Sequence, residues 1–579
     1  MSRPSDNRLP YMPGIDALRA VAVLAVFFYH TGTGWMPGGF LGVDVFFVIS
    51  GYLITALLLS EVRSTGHLNV GRFWLRRARR LLPAVGVMIA VTLLVAALLI
   101  PEDVGELRGD ALASLGYVNN WHLILSDQTY FEQFDRPSLF LHLWSLSVEE
   151  QFYLLWPLLF AAGLALFGRR RLLLGVLAGA LASTLLMVVL FHPGHDPMRV
   201  FYGTDTRAVG LLIGVALALV WHPNDLRKPS GPGAGWILDA VGVLALAVIV
   251  WNFFGIHDFD PGLYRGGFLV LSLATGLLLA VLAHPAARLG ALMGTAPMLW
   301  LGLRSYSFYL WHWPVLALTR PDIDVALWGP ALVVLQLAAT LALADLSYRY
   351  VEQPFRQRRD APSAPPWLPI GRPALAAAVV ATVIFIGWSG VVSGGGAGRG
   401  AEVAKAAEDG AAAEDGPAGR APPVLAIGDS VMVGAAGTLE RRLGSGAVVD
   451  ASEGRQPADY PAVVDAYREV GKLPEAVIVQ IGNNGPVFSE DMDKLREALA
   501  GVPSVYLVNV DVPRSWEGEV NDQLAEAVGE WPEATLLDWY GTAAGDRDLT
   551  YDGVHLTPEG QKAYSDLIAG AVASGGGAG

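Results

Sequence analysis

The chain contains no cysteine, and only 16% of its 579 residues are charged. The missing thiols exclude disulfides, thiolate metal sites and cysteine nucleophiles, and no other metal site is expected. So little charge beside a hydrophobic fraction of 53% excludes an ordinary soluble protein. A basic excess is missing as well. Lys and Arg number 40 against 54 Asp and Glu, a net charge of −14, which offers no broad positive field to a nucleic acid. The N-terminus lacks a cleavage pattern: its first apolar run leads into further runs with no small-residue site after it.

What the chain does have is apolar segments of membrane-spanning length, recurring from Ile15 to about Val392. They fall near 15–31, 40–60, 82–101, 147–167, 172–191, 205–221, 236–254, 264–283, 297–319, 327–350 and 373–392, which predicts an α-helical membrane domain of about 11 spans over residues 1–392. Every second loop is arginine-rich. One holds Arg72, Arg76, Arg77, Arg79 and Arg80, and later ones hold Arg169–Arg171, Arg227 with Lys228, and Arg349 with Arg356, Arg358 and Arg359. The positive-inside rule then predicts a cytoplasmic N-terminus and, with an odd span count, an extracytoplasmic C-terminal region.

Ionisable residues inside such spans are costly unless they are used or paired. Arg19 and His30 lie eleven residues apart in the first span, near one helix face and ~16 Å apart along the axis. Asp44 opens the second span and Glu149-Glu150 the fourth, both toward the same side as His30. A histidine oriented by a carboxylate makes a general base, so His30 is expected to pair with Asp44, Glu149 or Glu150. A lone buried histidine is commonly a packed core residue, and it is the surrounding charges that favour function here. The arginine cluster is by default a topology signal. Arg77 and Arg80, one turn apart, also have the spacing to hold phosphates. His142 and the aromatic stretch Tyr306 to Trp313 read either way, as interface anchors or as site residues.

Arg19-x10-His30, Gly42-Val-Asp44-Val-Phe-Phe-Val-Ile-Ser-Gly-Tyr52, Phe73-Trp-Leu-Arg-Arg77-Ala-Arg-Arg80, Trp144-Ser-Leu-Ser-Val-Glu149-Glu150-Gln-Phe-Tyr153 and Tyr306-Ser-Phe-Tyr-Leu-Trp-His-Trp-Pro314 together resemble the acyltransferase-3 family of membrane O-acyltransferases over about residues 10–360. The resemblance implies acyl-CoA as cytoplasmic donor, with no permanently bound cofactor. It also implies Arg19 with His30 as the essential motif and Arg77 with Arg80 on the donor side.

Residues 393–422 are rich in Gly, Ala and Glu without hydrophobic periodicity, which predicts a flexible linker. From 423 to 579, apolar runs at Val424–Ile427, Ala447–Val449, Ala476–Ile481, Val505–Val510 and Ala534–Leu537 alternate with helical stretches, predicting a parallel sheet flanked by helices. In such folds the site lies at the carboxyl ends of strands. Ser430 follows the first strand, Gly454 the second and Asn484 the third, while Asp552 and His555 precede the last helix. These residues fit a serine nucleophile with His555 as base and Asp552 as its orienting group. The Ser430 N–H, Gly454 and Asn484 fit an oxyanion site, and Asp429 fits a structural role in the turn. The Gly428-Asp-Ser430, Gly454-Arg-Gln, Gly482-Asn-Asn-Gly485 and Asp552-Gly-Val-His555-Leu-Thr-Pro-Glu-Gly560 blocks resemble the SGNH hydrolases, and within them the extracytoplasmic domains of peptidoglycan O-acetyltransferases. Arg455 stands where other members often carry Asn after the glycine.

The two resemblances imply an enzyme of the cell membrane that passes an acyl group, acetyl foremost, from acyl-CoA across the bilayer to Ser430 and on to a hydroxyl of a cell-wall or surface glycan. The rival reading is an extracytoplasmic carbohydrate esterase fused to a membrane transporter.

Overall fold

Pro13 sits in the first turn of helix α1 (Pro13–His30), where a missing N–H costs nothing because no intrahelical partner exists there. The computed structural model describes residues 9–101, 104–126, 137–192, 197–226, 234–258, 260–320, 324–325, 327, 329–356 and 423–575, except 445, 453–454, 513–515, 545, 547 and 551–553. They divide into a helical unit and an α/β unit. The linker expected at 393–422 and the span expected at 373–392 lie outside the described residues.

Eight helical segments of the described residues are long and apolar enough to cross a membrane, where the sequence predicts about 11. Two expected spans, 147–167 and 172–191, run together as α4 (Leu143–Leu190), broken at Gly168 with φ 71° just before the three arginines. At 48 residues α4 measures about 72 Å, more than twice a hydrocarbon core, so its halves count as separate crossings. The span expected at 297–319 is the helix Ala296–Ala317 (α6), whose Arg304, His312 and aromatic residues make it too polar to count by composition.

Close helix approach in an apolar medium depends on small residues. Helix α2 (Gly42–Thr65) crosses α5 (Thr204–Val220) at Gly51 and Gly214. A Cβ on Gly51 would meet the Leu211 carbonyl oxygen at 2.0 Å, and one on Gly214 the Val48 carbonyl at 2.1 Å. Gly302 of α6 likewise lies against the Asp16 backbone of α1, where a Cβ would come within 1.9 Å. These contacts fix which side chains face one another further along each helix pair.

The α/β unit has five strands: β1 (Leu425–Gly428), β2 (Val448–Ala451), β3 (Ala476–Gln480), β4 (Ser504–Val508) and β5 (Ala534–Leu537). All neighbours are parallel, in the order β2-β1-β3-β4-β5. Leu425, Ile427, Val477, Ile478 and Val479 are fully buried, each contributing about 1.5–3 kcal/mol by burial. The strands fall within two residues of those predicted. Strand order reverses between β1 and β3, so a crevice opens at their carboxyl ends, the usual ligand position in such sheets.

Candidate active sites

The α/β site forms where β1 and β3 end. Ser430 is the first residue of the helix Ser430–Leu443 (α7), so its N–H lies at a positive helix end. His555 precedes the last helix, Pro558–Gly575, and brings its Nε2 to 3.2 Å from the Ser430 Oγ across 125 residues of sequence. That places a base within reach of the hydroxyl proton. Asp552 and Gly454, expected as orienting carboxylate and oxyanion donor, lie outside the described residues.

Asn484 follows β3 and donates from Nδ2 to the Arg455 carbonyl at 3.1 Å. Its Oδ1 is buried with no partner among the described residues. Exchanging the two amide atoms would set Oδ1 against the Arg455 carbonyl, so the amide is held with its second N–H available for an oxyanion.

Asp429 caps α7 by accepting the Val431 N–H at 3.1 Å, and it accepts from the Asn483 Nδ2 at 3.1 and 2.9 Å. Burial raises its carboxyl from 3.8 to about 6, against the pull of those two donors. Arg455, noted in the sequence only as a departure, donates to the Gly428 carbonyl at 3.0 Å and the Asp450 carbonyl at 2.7 Å, and pairs with the Asp450 carboxylate at 2.6 Å. It ties the end of β1 to the end of β2. Its planar, many-donor guanidinium was the available signal, since a buried arginine needs several acceptors.

In the helical unit a cavity of about 180 Å³ is lined by Arg19, Arg77, Arg80, Ser50, Glu149, Tyr153, Tyr306 and Tyr309. Arg77 and Arg80 also line a second, larger space of about 700 Å³, together with Arg72, Arg76, Arg79 and Arg356. One arginine pair therefore stands between an arginine-lined vestibule and an inner chamber. Arg77 lies over the Tyr153 ring at 5.2 Å, and the Tyr153 hydroxyl donates to Glu149 Oε1 at 2.5 Å, with Ser50 Oγ 3.0 Å from the same hydroxyl. Ser50 also donates to Glu149.

The expected convergence of His30 with Asp44 or a glutamate does not occur. Asp44 pairs with Arg207 of α5 at 2.9 Å, both side chains at most 2% exposed. A full opposite charge in a low dielectric outcompetes an imidazole for that carboxylate. Arg207 was the missed partner, and its signal was plain: an arginine inside an apolar span needs an anion. Glu149 faces the arginine side, one turn before Tyr153. Glu150 is not among the residues lining the cavity.

His30 meets histidine instead. Its Nδ1 lies 3.1 Å from Nε2 of the buried His312, and His312 Nδ1 lies 2.6 Å from the Tyr309 carbonyl. His142 packs edge-on against His312, ring centroids 5.4 Å apart, with its Nε2 3.2 Å from the Leu310 carbonyl. The Tyr309 hydroxyl lies 2.6 Å from Ser145 and donates to the His142 carbonyl at 2.8 Å, so one residue joins the chamber wall to the histidine group.

Residues 12–349 match the family described as "Acyltransferase domain". Over 98% of its length the chain is 35% identical to the peptidoglycan O-acetyltransferase OatA of Listeria monocytogenes, covering 99% of that protein. It is 36% identical to the O-acetyltransferase OatA of Staphylococcus aureus, with 96% of the chain and 95% of the relative aligned. Among solved structures it is similar to the C-terminal catalytic domain of Streptococcus pneumoniae peptidoglycan O-acetyltransferase A, at 23% identity and TM-score 0.25, over 27% of this chain and 95% of that one. A GDSL-like lipase of Bacteroides thetaiotaomicron is similar at 19% identity and TM-score 0.25, over 30% of this chain and 99% of that one.

Proposed function

The chain belongs to the membrane acyltransferase family that its residues 12–349 match, and from that premise we propose that it is a peptidoglycan O-acetyltransferase working in two stages. One observation carries the reading. The match to relatives named for peptidoglycan O-acetylation runs the whole length of a chain that keeps His555 within 3.2 Å of Ser430.

The N-terminus lies in the cytoplasm and the α/β unit outside, as the arginine-rich loops favour. Acetyl-CoA is the donor. The vestibule suits its phosphates, since Arg77 and Arg80 offer forked donors and a neighbouring positive field. His30 removes the proton of an acceptor hydroxyl as that oxygen attacks the thioester carbon; the C–S bond breaks, that proton passes to the departing sulfur, and CoA leaves as the thiol. Arg19, in the chamber wall, adds its positive charge to Arg77 and Arg80 on the donor side. The intermediate acceptor passes the acetyl group on by ester exchange. Ser430 attacks the carbonyl, His555 takes the hydroxyl proton and returns it to the departing oxygen, and the oxyanion is held by the Ser430 N–H, Asn484 and Gly454. Asp552 orients His555. A hydroxyl of the peptidoglycan glycan, deprotonated by His555, then takes the acetyl group from Ser430. The thioester supplies the driving force, and each later step exchanges one ester for another.

The test uses full-length protein in vesicles with labelled acetyl-CoA and peptidoglycan fragments. Wild type should label the glycan, His555→Ala should trap label short of it, and His30→Ala should leave Ser430 unlabelled. Ser430 acetylated from acetyl-CoA in the His30→Ala variant would sink the two-stage reading.

A further inference from the structure

His312 Nδ1 lies 2.6 Å from the Tyr309 carbonyl oxygen, which accepts only, so this nitrogen carries the His312 proton. Its Nε2 is then the acceptor in the 3.1 Å contact with His30. The proton in that contact therefore sits on His30 Nδ1, and the lone pair of His30 sits on Nε2. Two consecutive contacts thus hold one ring nitrogen of His30 from α6, beside the Val26 carbonyl one turn back on its own helix.

The ring is fixed in orientation as well as protonation. Trp313, the next residue of α6, lies edge-on to His30 with centroids 4.8 Å apart, and His142 flanks His312 from another helix. Tyr309, His312 and Trp313 share one stretch of α6, and α6 is seated on α1 through Gly302 at its other end. A neutral histidine in place of a carboxylate still supports a proton gained at Nε2, because the His30 Nδ1–H keeps an acceptor throughout.

We infer that His312 is a positioning residue for the acyl-transfer base, holding His30 with Nε2 as the nitrogen that takes the acceptor proton. This rests on the proposed function. In the step, the acceptor O–H proton moves to His30 Nε2 while the new C–O bond forms and the C–S bond of the donor breaks. The Nδ1 proton stays in place, shared with His312.

Two near-isosteric variants separate this role from packing. His312→Asn keeps an N–H for the Tyr309 carbonyl but has no acceptor that reaches His30. His312→Gln extends an amide oxygen to where Nε2 stood. Steady-state CoA release from acetyl-CoA by full-length protein in vesicles, with His30→Ala as control, is the measurement. The expected result is a loss of about 100-fold in kcat for His312→Asn, with KM for acetyl-CoA within about twofold, and recovery to within about tenfold of wild type for His312→Gln. Equal losses in the two variants, a loss confined to KM, or an unaffected His312→Asn beside an inactive His30→Ala overturns the inference. Wild-type protein that releases no CoA overturns the proposed function instead.

Discussion

Each unit contains a histidine with a proton-exchanging group in hydrogen-bond reach, and the two are held in different ways. His555 belongs to an α/β unit where the end of β1 delivers its serine, 3.2 Å away. His30 ends a helix inside an apolar bundle, and one of its contacts is another histidine at 3.1 Å. The difference follows from what each carboxylate meets. In the α/β unit the carboxylate beside the serine, Asp429, is buried and held by the Asn483 amide and the Val431 N–H. In the bundle Asp44 is taken by Arg207, and Glu149 by Ser50 and Tyr153. A neutral acceptor then remains as the lower-cost way to orient a base.

The largest expected effect tests whether the two sites are serial. Ser430→Ala should lower glycan acetylation by about 10⁴-fold or more, and hydrolysis of a soluble acetyl ester with it, while acetyl-CoA binding measured by calorimetry stays unchanged. A fall in acetyl-CoA affinity would merge the sites that the comparison separates. Next, replacing Arg77 and Arg80 together by Ala should raise KM for acetyl-CoA about a thousandfold, from two charge-assisted contacts at about 2 kcal/mol each. Soluble-ester hydrolysis at Ser430 should not change in the same assay.

Asp429 gives a smaller effect, confined to the α/β unit. Its carboxyl is raised from 3.8 to about 6 by burial, so the folded state binds that proton more tightly than the unfolded chain. The associated stability, roughly 3 kcal/mol at most, is fully present below pH 3.8 and is lost as pH rises through about 6. Asp429→Asn should flatten this dependence in denaturant melts between pH 4 and 7; an unchanged slope would assign it elsewhere. The smallest effect is Gly482→Ala. Gly482 has φ 109°, and a Cβ there would lie 2.6 Å from Val520. A loss of about 2 kcal/mol is expected in melting of the α/β unit, with the helical unit's transition unmoved.

The α/β site was largely legible because its chemistry is punctuated. Gly-Asp-Ser and Gly-Asn-Asn-Gly stand at the ends of β1 and β3, where a parallel sheet gathers its site residues, and His555 stands just before the last helix. Arg455 escaped because two of its acceptors are backbone carbonyls, which carry no sequence signal. In the helical unit His30 and the arginine cluster were legible as costly residues in apolar surroundings, but their partners were not. Helical periodicity gives the face of a residue on its own helix and says nothing of which helix lies opposite. His312 was masked further by its aromatic neighbours, which read equally well as interface anchors.

By itself the sequence determined the two-domain division, the membrane-spanning character of the first domain, the strands of the second and the family, because these depend on local hydrophobic pattern and on motif spacing. Only the tertiary structure decided the pairings between helices: Asp44 with Arg207, and His30 with His312. Those pairings follow from the helix crossings set by Gly51, Gly214 and Gly302, and in a low-dielectric bundle the neighbour that a crossing supplies determines which charge is neutralised and which base is left to act.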